Sequence, residues 1–151
     1  MLTDEDRRIL RRLQDAPTLS MPDLGDVLGL STQKVARRVE KMKEQGVIRA
    51  TRAVIDWRAL GYEVEVSLRF SLDKTQRTAF DEFIAAARAV PEVIEIQTFL
   101  GKVDVRLNVI ARDMAHYQTL YRDAILALPH IADIEALMHV ATVKSQDRLP
   151  I

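Results

Sequence analysis

The stretch LSTQKVARRVEKMKEQGVI (residues 30–48) decides how the first third of the chain is interpreted. Ser31 is a favoured helix N-cap residue and Gly46 a favoured helix end, so the sequence predicts a helix between them. Apolar residues recur in it at i, i+4 and i+7: Val35, Val39 and Met42. This spacing directs one stripe of the helix towards a core. The remaining surface is basic, because five basic residues outnumber two acidic ones between Ser31 and Gly46.

The residues on either side of this helix extend it into a larger motif. Thr3 begins a T-x-x-D capping box ahead of a helix over residues 4–15, and Ser20 caps a short second helix that Gly29 ends. After the basic helix, two small apolar clusters in residues 47–56 predict a two-stranded ribbon. A short helix, a glycine turn, a basic helix and a ribbon together indicate a winged helix-turn-helix.

The second half of the chain changes its periodicity from helical to strand-like. Apolar residues alternate strictly with polar ones after residue 63: Val64, Val66, Leu68, Phe70 and Leu72. The segments that follow give the order β-α-β-β-α-β. The predicted fold class is therefore α+β, with a winged helix-turn-helix followed by a ferredoxin-like βαββαβ domain with an antiparallel sheet. We place these domains at residues 1–56 and 63–151, joined by a linker at residues 57–62.

This topology puts both helices on one face of the sheet and leaves the other face uncovered. The residues expected on the uncovered face are a mixture of apolar and polar types: Arg69, Glu95, Gln97, Phe99, Arg106, Asn108, Leu137 and His139. A second copy of the sheet would cover such a surface, so we expect a homodimer. A monomer with a mottled sheet face is the alternative.

Composition excludes several classes of site. The 151 residues contain no cysteine and three scattered histidines, so we expect neither disulfides nor a metal site. No catalytic motif or Gly-rich phosphate loop is present, and we expect no catalytic residues and no cofactor. No segment approaches the roughly 18 apolar residues that span a bilayer, which favours a cytoplasmic protein without a membrane partner.

Charge divides unevenly along the chain and points to double-stranded DNA as the partner of the basic helix. Residues 1–60 carry 12 Lys and Arg against 9 Asp and Glu, whereas residues 61–151 carry 10 against 13. The first two turns of a recognition helix enter the major groove. There Gln33 and Arg37 suit base edges, and Lys34, Arg38 and Arg52 suit phosphates. The candidate DNA-binding residues are Ser31, Thr32, Gln33, Lys34, Arg37, Arg38 and Arg52. A basic helix face that is merely solvated is the alternative.

The segment TFLGKVDVRL (residues 98–107) is the second candidate site, predicted as a hairpin with its turn at Gly101 and Lys102. A glycine turn allows close approach to the backbone, and Asp104 and Arg106 have charges suited to an ammonium and a carboxylate. A tight turn without any ligand is the alternative.

Three motifs in sequence resemble the Lrp/AsnC (feast-famine) transcriptional regulators: LSTQKVARRVEKMKEQGVI, IDWRALGY and FLGKVDVRLNVIARDMAHYQTLYRDAILALPHI. The resemblance covers essentially the whole chain. It implies that the N-terminal domain binds DNA and that the C-terminal domain dimerises and assembles dimers into tetramers or octamers. It also implies an amino-acid or other small effector bound between dimers. Five candidates match the family's DNA-reading positions: Thr32, Gln33, Lys34, Arg37 and Arg38.

The predicted effector-binding residues are those of the hairpin: Thr98, Leu100, Gly101, Lys102 and Asp104. Here the chain departs from the family pattern, in which members that sense amino acids commonly carry an acidic residue directly after the glycine. Lys102 reverses that local charge, so an anionic effector, a different one, or none is expected.

Two other functions stay open. A few Lrp-like chains resemble tetrapyrrole (sirohaem) decarboxylases, an enzyme class that would require a pocket histidine and would not need a basic helix. The other is a dimeric sensor that signals through protein contacts without binding DNA. Haem-type absorbance without DNA affinity would favour the enzyme.

Overall fold

The computed structural model describes residues 1–145 and 148–151, and the chain divides into two compact units. The first contains Met1–Val54 together with Lys144–Ile151, and the second contains Ile55–Val143. The structure thus groups the chain end with the N-terminal unit, whereas the sequence placed residues 63–151 in one domain. The backbone after the sheet is hydrogen-bonded to the first helix, where Leu149 N–H donates to Gln14 Oε1 at 2.5 Å.

Three helices form the first unit, as the sequence predicted. Helix α1 (Asp4–Asp15) begins with the capping box of Thr3, and Ser20 caps α2 (Met21–Leu28). Helix α3 (Thr32–Glu44) carries the basic face. Because each helix is too short to be stable alone, the unit depends on the apolar side chains the helices bury together. The buried members of this core are Ile9, Leu24, Val35, Val39 and Met42.

The turn between α2 and α3 depends on two glycines. Gly29 ends α2 with φ = 67°, a left-handed conformation that glycine adopts without steric cost. Gly25 is buried inside α2 and packs against the turn, where an added Cβ would lie 2.7 Å from the carbonyl oxygen of Leu30. The side chain of Val27, between these two glycines, is exposed.

Residues 47–56, all of them described, do not form the two-stranded ribbon that the sequence predicted. The N–H groups of Val47 and Ile48 instead donate to the carbonyl of Met42 and close the end of α3. Farther along, Val54 and Ile55 are largely exposed. A two-stranded ribbon without a third strand is marginal in water, and this segment stays irregular.

The second unit has the predicted order β-α-β-β-α-β, and its four strands form an antiparallel sheet in the order β2-β3-β1-β4. The elements are β1 (Val64–Leu72), α4 (Ala79–Arg88), β2 (Val93–Thr98), β3 (Val105–Ala111), α5 (Met114–Leu120) and β4 (Ile131–Met138). Before the sheet, Trp57–Leu60 forms a short 3-10 turn in the segment predicted as a linker.

Alternate residues of β1 and β3 pack against the helices and form the core of this unit. The ring centroids of Phe70 and Phe83 lie 4.9 Å apart, joining the sheet to α4. Helix α5 continues into a π-helical turn, Tyr121–Ile125. No helix in the described part of the chain is both long and apolar enough to cross a bilayer.

The connection between β2 and β3 is longer than the predicted turn at Gly101 and Lys102. Thr98 is paired with Val105, so the six residues 99–104 lie between the strands. Phe99 N–H still donates to the carbonyl of Asp104 at 2.9 Å, whereas Asp104 N–H donates to the carbonyl of Phe70 on β1, at 2.8 Å. The sequence alone could not show that Asp104 N–H bonds to a third strand.

Candidate nucleic-acid interface and hairpin site

The first two turns of α3 present polar side chains away from its buried stripe. Ser31 caps the helix, and its Oγ accepts a hydrogen bond from Lys34 N–H at 3.3 Å. Thr32, Gln33 and Arg37 are exposed, and Arg37 makes no ion pair within the described residues. The exposed amide and guanidinium groups have the donors that base edges require. The N–H groups at the helix start can donate hydrogen bonds to a phosphate.

Arg38 occupies a different environment from the phosphate contact that the sequence predicted. Its Nη1 lies 2.8 Å from Asp6 Oδ1 and 3.0 Å from Thr3 Oγ1, and its Nη2 pairs with Glu5. Only 23% of the side chain is exposed. The guanidinium therefore fastens α3 to the start of α1, and its partners lie about thirty residues earlier, beyond the reach of periodicity arguments.

The pKa values of this cluster agree with a fastening role. Burial alone would raise the pKa of Asp6, but hydrogen bonds from Thr3 and Arg38 outweigh it and the net shift is downwards. The hydrogen bond that Arg38 donates to Asp6 in turn raises the pKa of Arg38. Both groups stay charged at neutral pH, so the pair holds as an ion pair.

Lys34 lies at the edge of the same cluster, with its Nζ 2.6 Å from Glu5 Oε1. Its side chain is 40% exposed, so the ammonium is paired but still open to solvent. Arg52, predicted to contact phosphate, is exposed on the irregular segment after α3. It lines an open cleft of about 710 Å³ together with residues of α1 and the chain end.

Asp104 is buried at the end of the hairpin loop, where protein groups engage both carboxylate oxygens. Oδ2 accepts from Leu72 N–H at 2.9 Å, and Oδ1 pairs with Lys74 Nζ at 2.6 Å. The hydrogen bond from Lys74, followed by the one from Leu72, lowers the pKa of Asp104. Asp104 thus secures the loop to β1, an arrangement that leaves little capacity for a ligand ammonium.

The other predicted effector residues lie together on the exposed surface of the loop: Thr98, Leu100, Gly101 and Lys102. The backbone carbonyl of Lys102 accepts from Ser71 Oγ at 2.8 Å, which fixes the loop while its side chain points to solvent. Leu100 is fully exposed. An ammonium group beside an exposed leucine suits a ligand with a carboxylate and an apolar part.

Polar side chains on the open face of the sheet are paired with one another. Arg106 pairs with Glu95 at 3.1 Å, and Asn108 Nδ2 donates to Glu65 Oε1 at 2.9 Å. Exposed apolar side chains also lie along the edge strand β4 and just beyond it: Leu137, Met138, Val140 and Val143. Two further apolar side chains of the second unit, Ile55 and Leu60, are exposed before the sheet.

The three histidines are each paired with a different glutamate. His130 Nε2 lies 2.6 Å from Glu82, His139 Nδ1 lies 3.3 Å from Glu65, and His116 Nε2 lies 3.5 Å from Glu92. Within the described residues, no three potential ligands converge on a metal position.

Sequence reasoning missed Glu5 and Lys74, the partners of two predicted site residues. Glu5 lay in the first turn of α1, where an acidic residue is explained by the helix dipole alone. Lys74 follows β1 and carried no motif. Only the folded chain brings them beside Lys34 and Asp104.

Comparison with known proteins identifies both units. Residues 2–49 match the family model described as winged helix-turn-helix DNA-binding, and residues 65–149 match the Lrp/AsnC ligand binding domain. The proline dehydrogenase transcriptional activator of Rhodobacter capsulatus is 32% identical, over 94% of this chain and 92% of its own length.

Two solved structures share the fold along the chain. An AsnC family transcriptional regulator from Agrobacterium tumefaciens is 32% identical with a TM-score of 0.88, covering 99% of this chain and 97% of its own. A transcriptional regulator from Neisseria meningitidis, solved as a complex with L-methionine, has a TM-score of 0.90 at 23% identity, with the same coverage. With both units matched in this order, the chain belongs to the Lrp/AsnC family of DNA-binding transcriptional regulators.

Proposed function

We propose that the protein reads a specific DNA sequence with the first two turns of α3. Gln33 and Arg37 contact base edges, while Thr32, Lys34, Arg52 and the helix start at Ser31 contact the phosphate backbone. The observation that carries this assignment is the exposed Arg37 beside Gln33, which lies on the face opposite the buried stripe and has no ion-pair partner among the residues that the structure describes. Arg38 is left out of the interface because α1 holds its guanidinium.

The experiment that tests this assignment is salt-dependent binding to the DNA upstream of the protein's own gene, compared with random DNA of equal length. Arg37→Ala should cost about 1–3 kcal/mol on the specific site, a loss of about 5- to 150-fold, and little on random DNA. Lys43→Ala is the matched control, because Lys43 lies in the last turn of α3 and pairs with Glu40 at 3.5 Å.

Two results would contradict the assignment. Equal weakening of Arg37→Ala on both DNAs would show that this side chain contacts phosphate. No binding by the unmodified protein at low salt would overturn DNA recognition itself, and haem-type absorbance in that protein would then favour the decarboxylase.

We infer that the working unit is a homodimer built by the second unit, and that dimers assemble into tetramers or octamers. The inference is supported by the apolar side chains along the free edge strand β4 and by those before the sheet, which stay exposed in one copy. A two-fold dimer bearing two copies of α3 requires a pseudo-palindromic operator. Sedimentation equilibrium at micromolar concentration should show no monomer, and a stable monomer would refute the inference.

We further propose that the loop between β2 and β3 takes a small effector through a carboxylate, by way of Lys102 and the loop backbone. L-methionine in the Neisseria relative has such a group. The buried Asp104 maintains the loop shape and does not bind the ammonium of the effector. Thermal-shift measurements with amino acids and with carboxylic acids lacking an amino group should show stabilisation that Lys102→Glu abolishes. Stabilisation that survives this change would exclude Lys102 from the site.

A DNA-binding regulator acts where the genome lies, and we accordingly propose a cytoplasmic location.

A further inference from the structure

Glu5 stands apart from the other acidic residues of the first unit, because it reaches across from α1 to two cations of α3. One carboxylate oxygen lies 2.6 Å from Lys34 Nζ, and the other contacts Arg38. Asp6 already supplies Arg38 with a partner at 2.8 Å, and its own oxygen also closes the capping box of α1. Asp6 and Thr3 therefore already link Arg38 to α1, and the contact between Glu5 and Lys34 is an additional pair between the same two helices.

The carboxylates of Glu5 and Asp6 differ in their exposure to solvent. The Glu5 side chain is 31% exposed and that of Lys34 is 40% exposed, against 12% for Asp6. The hydrogen bond from Lys34, with the charge of Arg38, also lowers the pKa of Glu5, which is therefore ionised at neutral pH. The pair between Glu5 and Lys34 is an open ion pair at the rim of the proposed interface. Such a pair is weak and is readily exchanged for another anion.

We propose that Glu5 competes with the DNA backbone for Lys34 and so restrains the sequence-independent part of DNA binding. This inference rests on the proposed placement of α3 in the groove. In free protein, Lys34 is neutralised by Glu5. On DNA, a phosphate must displace the carboxylate to use the ammonium, and the carboxylate left behind repels the polyanion.

The variant Glu5→Gln tests this competition, because it keeps the shape and a hydrogen-bond acceptor while removing the charge. Freeing one cation for one phosphate should steepen the salt slope of log K by about 0.9. If the two affinities are equal at about 1 M salt, this slope gives about eightfold tighter binding to random-sequence duplex DNA at about 0.1 M salt, and about fourfold at about 0.2 M.

Asp4→Asn is the matched control. Asp4 lies one residue earlier in the same first turn and makes no ion pair within the described residues, so its replacement removes the same charge from the same helix end. General repulsion between the acidic helix start and DNA would change both variants alike. The competition predicts a change in salt slope for Glu5→Gln alone.

The double variant Glu5→Gln with Lys34→Ala completes a double-mutant cycle of these two residues. Competition requires that removing Lys34 return the salt slope to that of the unmodified protein and cancel the gain in affinity. In the unmodified background, Lys34→Ala should reduce DNA affinity and salt slope less than it does in the Glu5→Gln background, because Glu5 already masks the Lys34 charge. Equal slopes for Glu5→Gln and Asp4→Asn, or a gain that survives the loss of Lys34, would overturn the proposal.

These outcomes are distinct from failure of the proposed interface. If Gln33→Ala and Arg37→Ala bind like the unmodified protein, α3 does not read DNA and the premise falls. If those variants weaken binding but Glu5→Gln behaves like Asp4→Asn, only the competition is refuted. Circular dichroism of each variant at the assay temperature establishes that the helices are intact.

Discussion

Gly25→Ala is expected to destabilise the first unit, although the same change usually stabilises a helix. An ideal Cβ on Gly25 would lie 2.7 Å from the Leu30 carbonyl oxygen and 3.4 Å from Thr32 N. Both neighbours are backbone atoms of the turn that begins α3. The turn cannot yield independently of α2, because Leu30 N–H donates to the carbonyl of Gly25 at 2.9 Å.

The magnitude follows from two opposing effects. Replacing glycine by alanine inside a helix gains about 1 kcal/mol from backbone entropy and propensity. Overpacking against a well-packed neighbour costs about 1–3 kcal/mol, and a contact to backbone oxygen at 2.7 Å belongs at the upper end of that range. The expected net loss is therefore about 1–2 kcal/mol. Because the turn positions α3, the affinity for DNA should fall as well.

Native-state hydrogen exchange of residues 1–54 is the suitable assay, because the single tryptophan, Trp57, belongs to the second unit. Asp26→Ala is the control, an exposed position next in the same helix. Faster exchange across all three helices of Gly25→Ala, with the control nearly unchanged, is the expected result. A Gly25→Ala variant as stable as the original protein would refute the steric reasoning.

Two further predictions follow from the ion pairs. Arg38→Met should lower the stability of the first unit by about 1–2 kcal/mol, because Asp6 loses its cation. Native-state hydrogen exchange measures this loss. An unchanged exchange pattern, together with a reduced salt slope of DNA binding, would indicate that Arg38 contacts DNA. Asp104→Asn should destabilise the second unit most at neutral pH, as measured by Trp57 fluorescence in denaturant at several pH values. The depressed pKa of Asp104 contributes stability that is present above the unfolded value of about 3.9 and is lost as pH falls through the lower folded pKa, so the difference between the two proteins should begin to narrow only near about pH 4 and vanish below the folded pKa. A difference independent of pH would contradict this reasoning.

Local signals in the sequence were sufficient for most of the secondary structure. The caps at Thr3, Ser20 and Ser31 and the two apolar periodicities predicted the three helices and β1, since such signals act within one or two turns of chain. The order β-α-β-β-α-β then restricted the second unit to one sheet topology, which the structure confirms. The exposure of Gln33 and Arg37 also follows from helical geometry alone.

Only the tertiary structure decided what the charged residues do. Arg38 and Arg37 are neighbours with the same chemistry, yet Arg38 is held by α1, whereas Arg37 is exposed and makes no ion pair with any described residue. By its charge alone, Asp104 was suited to bind an effector. In the folded chain, Leu72 and Lys74 engage its carboxylate. Periodicity predicts the direction of a side chain but not its partners. The partners of Arg38 and Asp104 lie about thirty residues away in sequence, so only the folded chain brings them together. The sequence by itself therefore determined the elements and their order, and the folded chain determined the role of each charge.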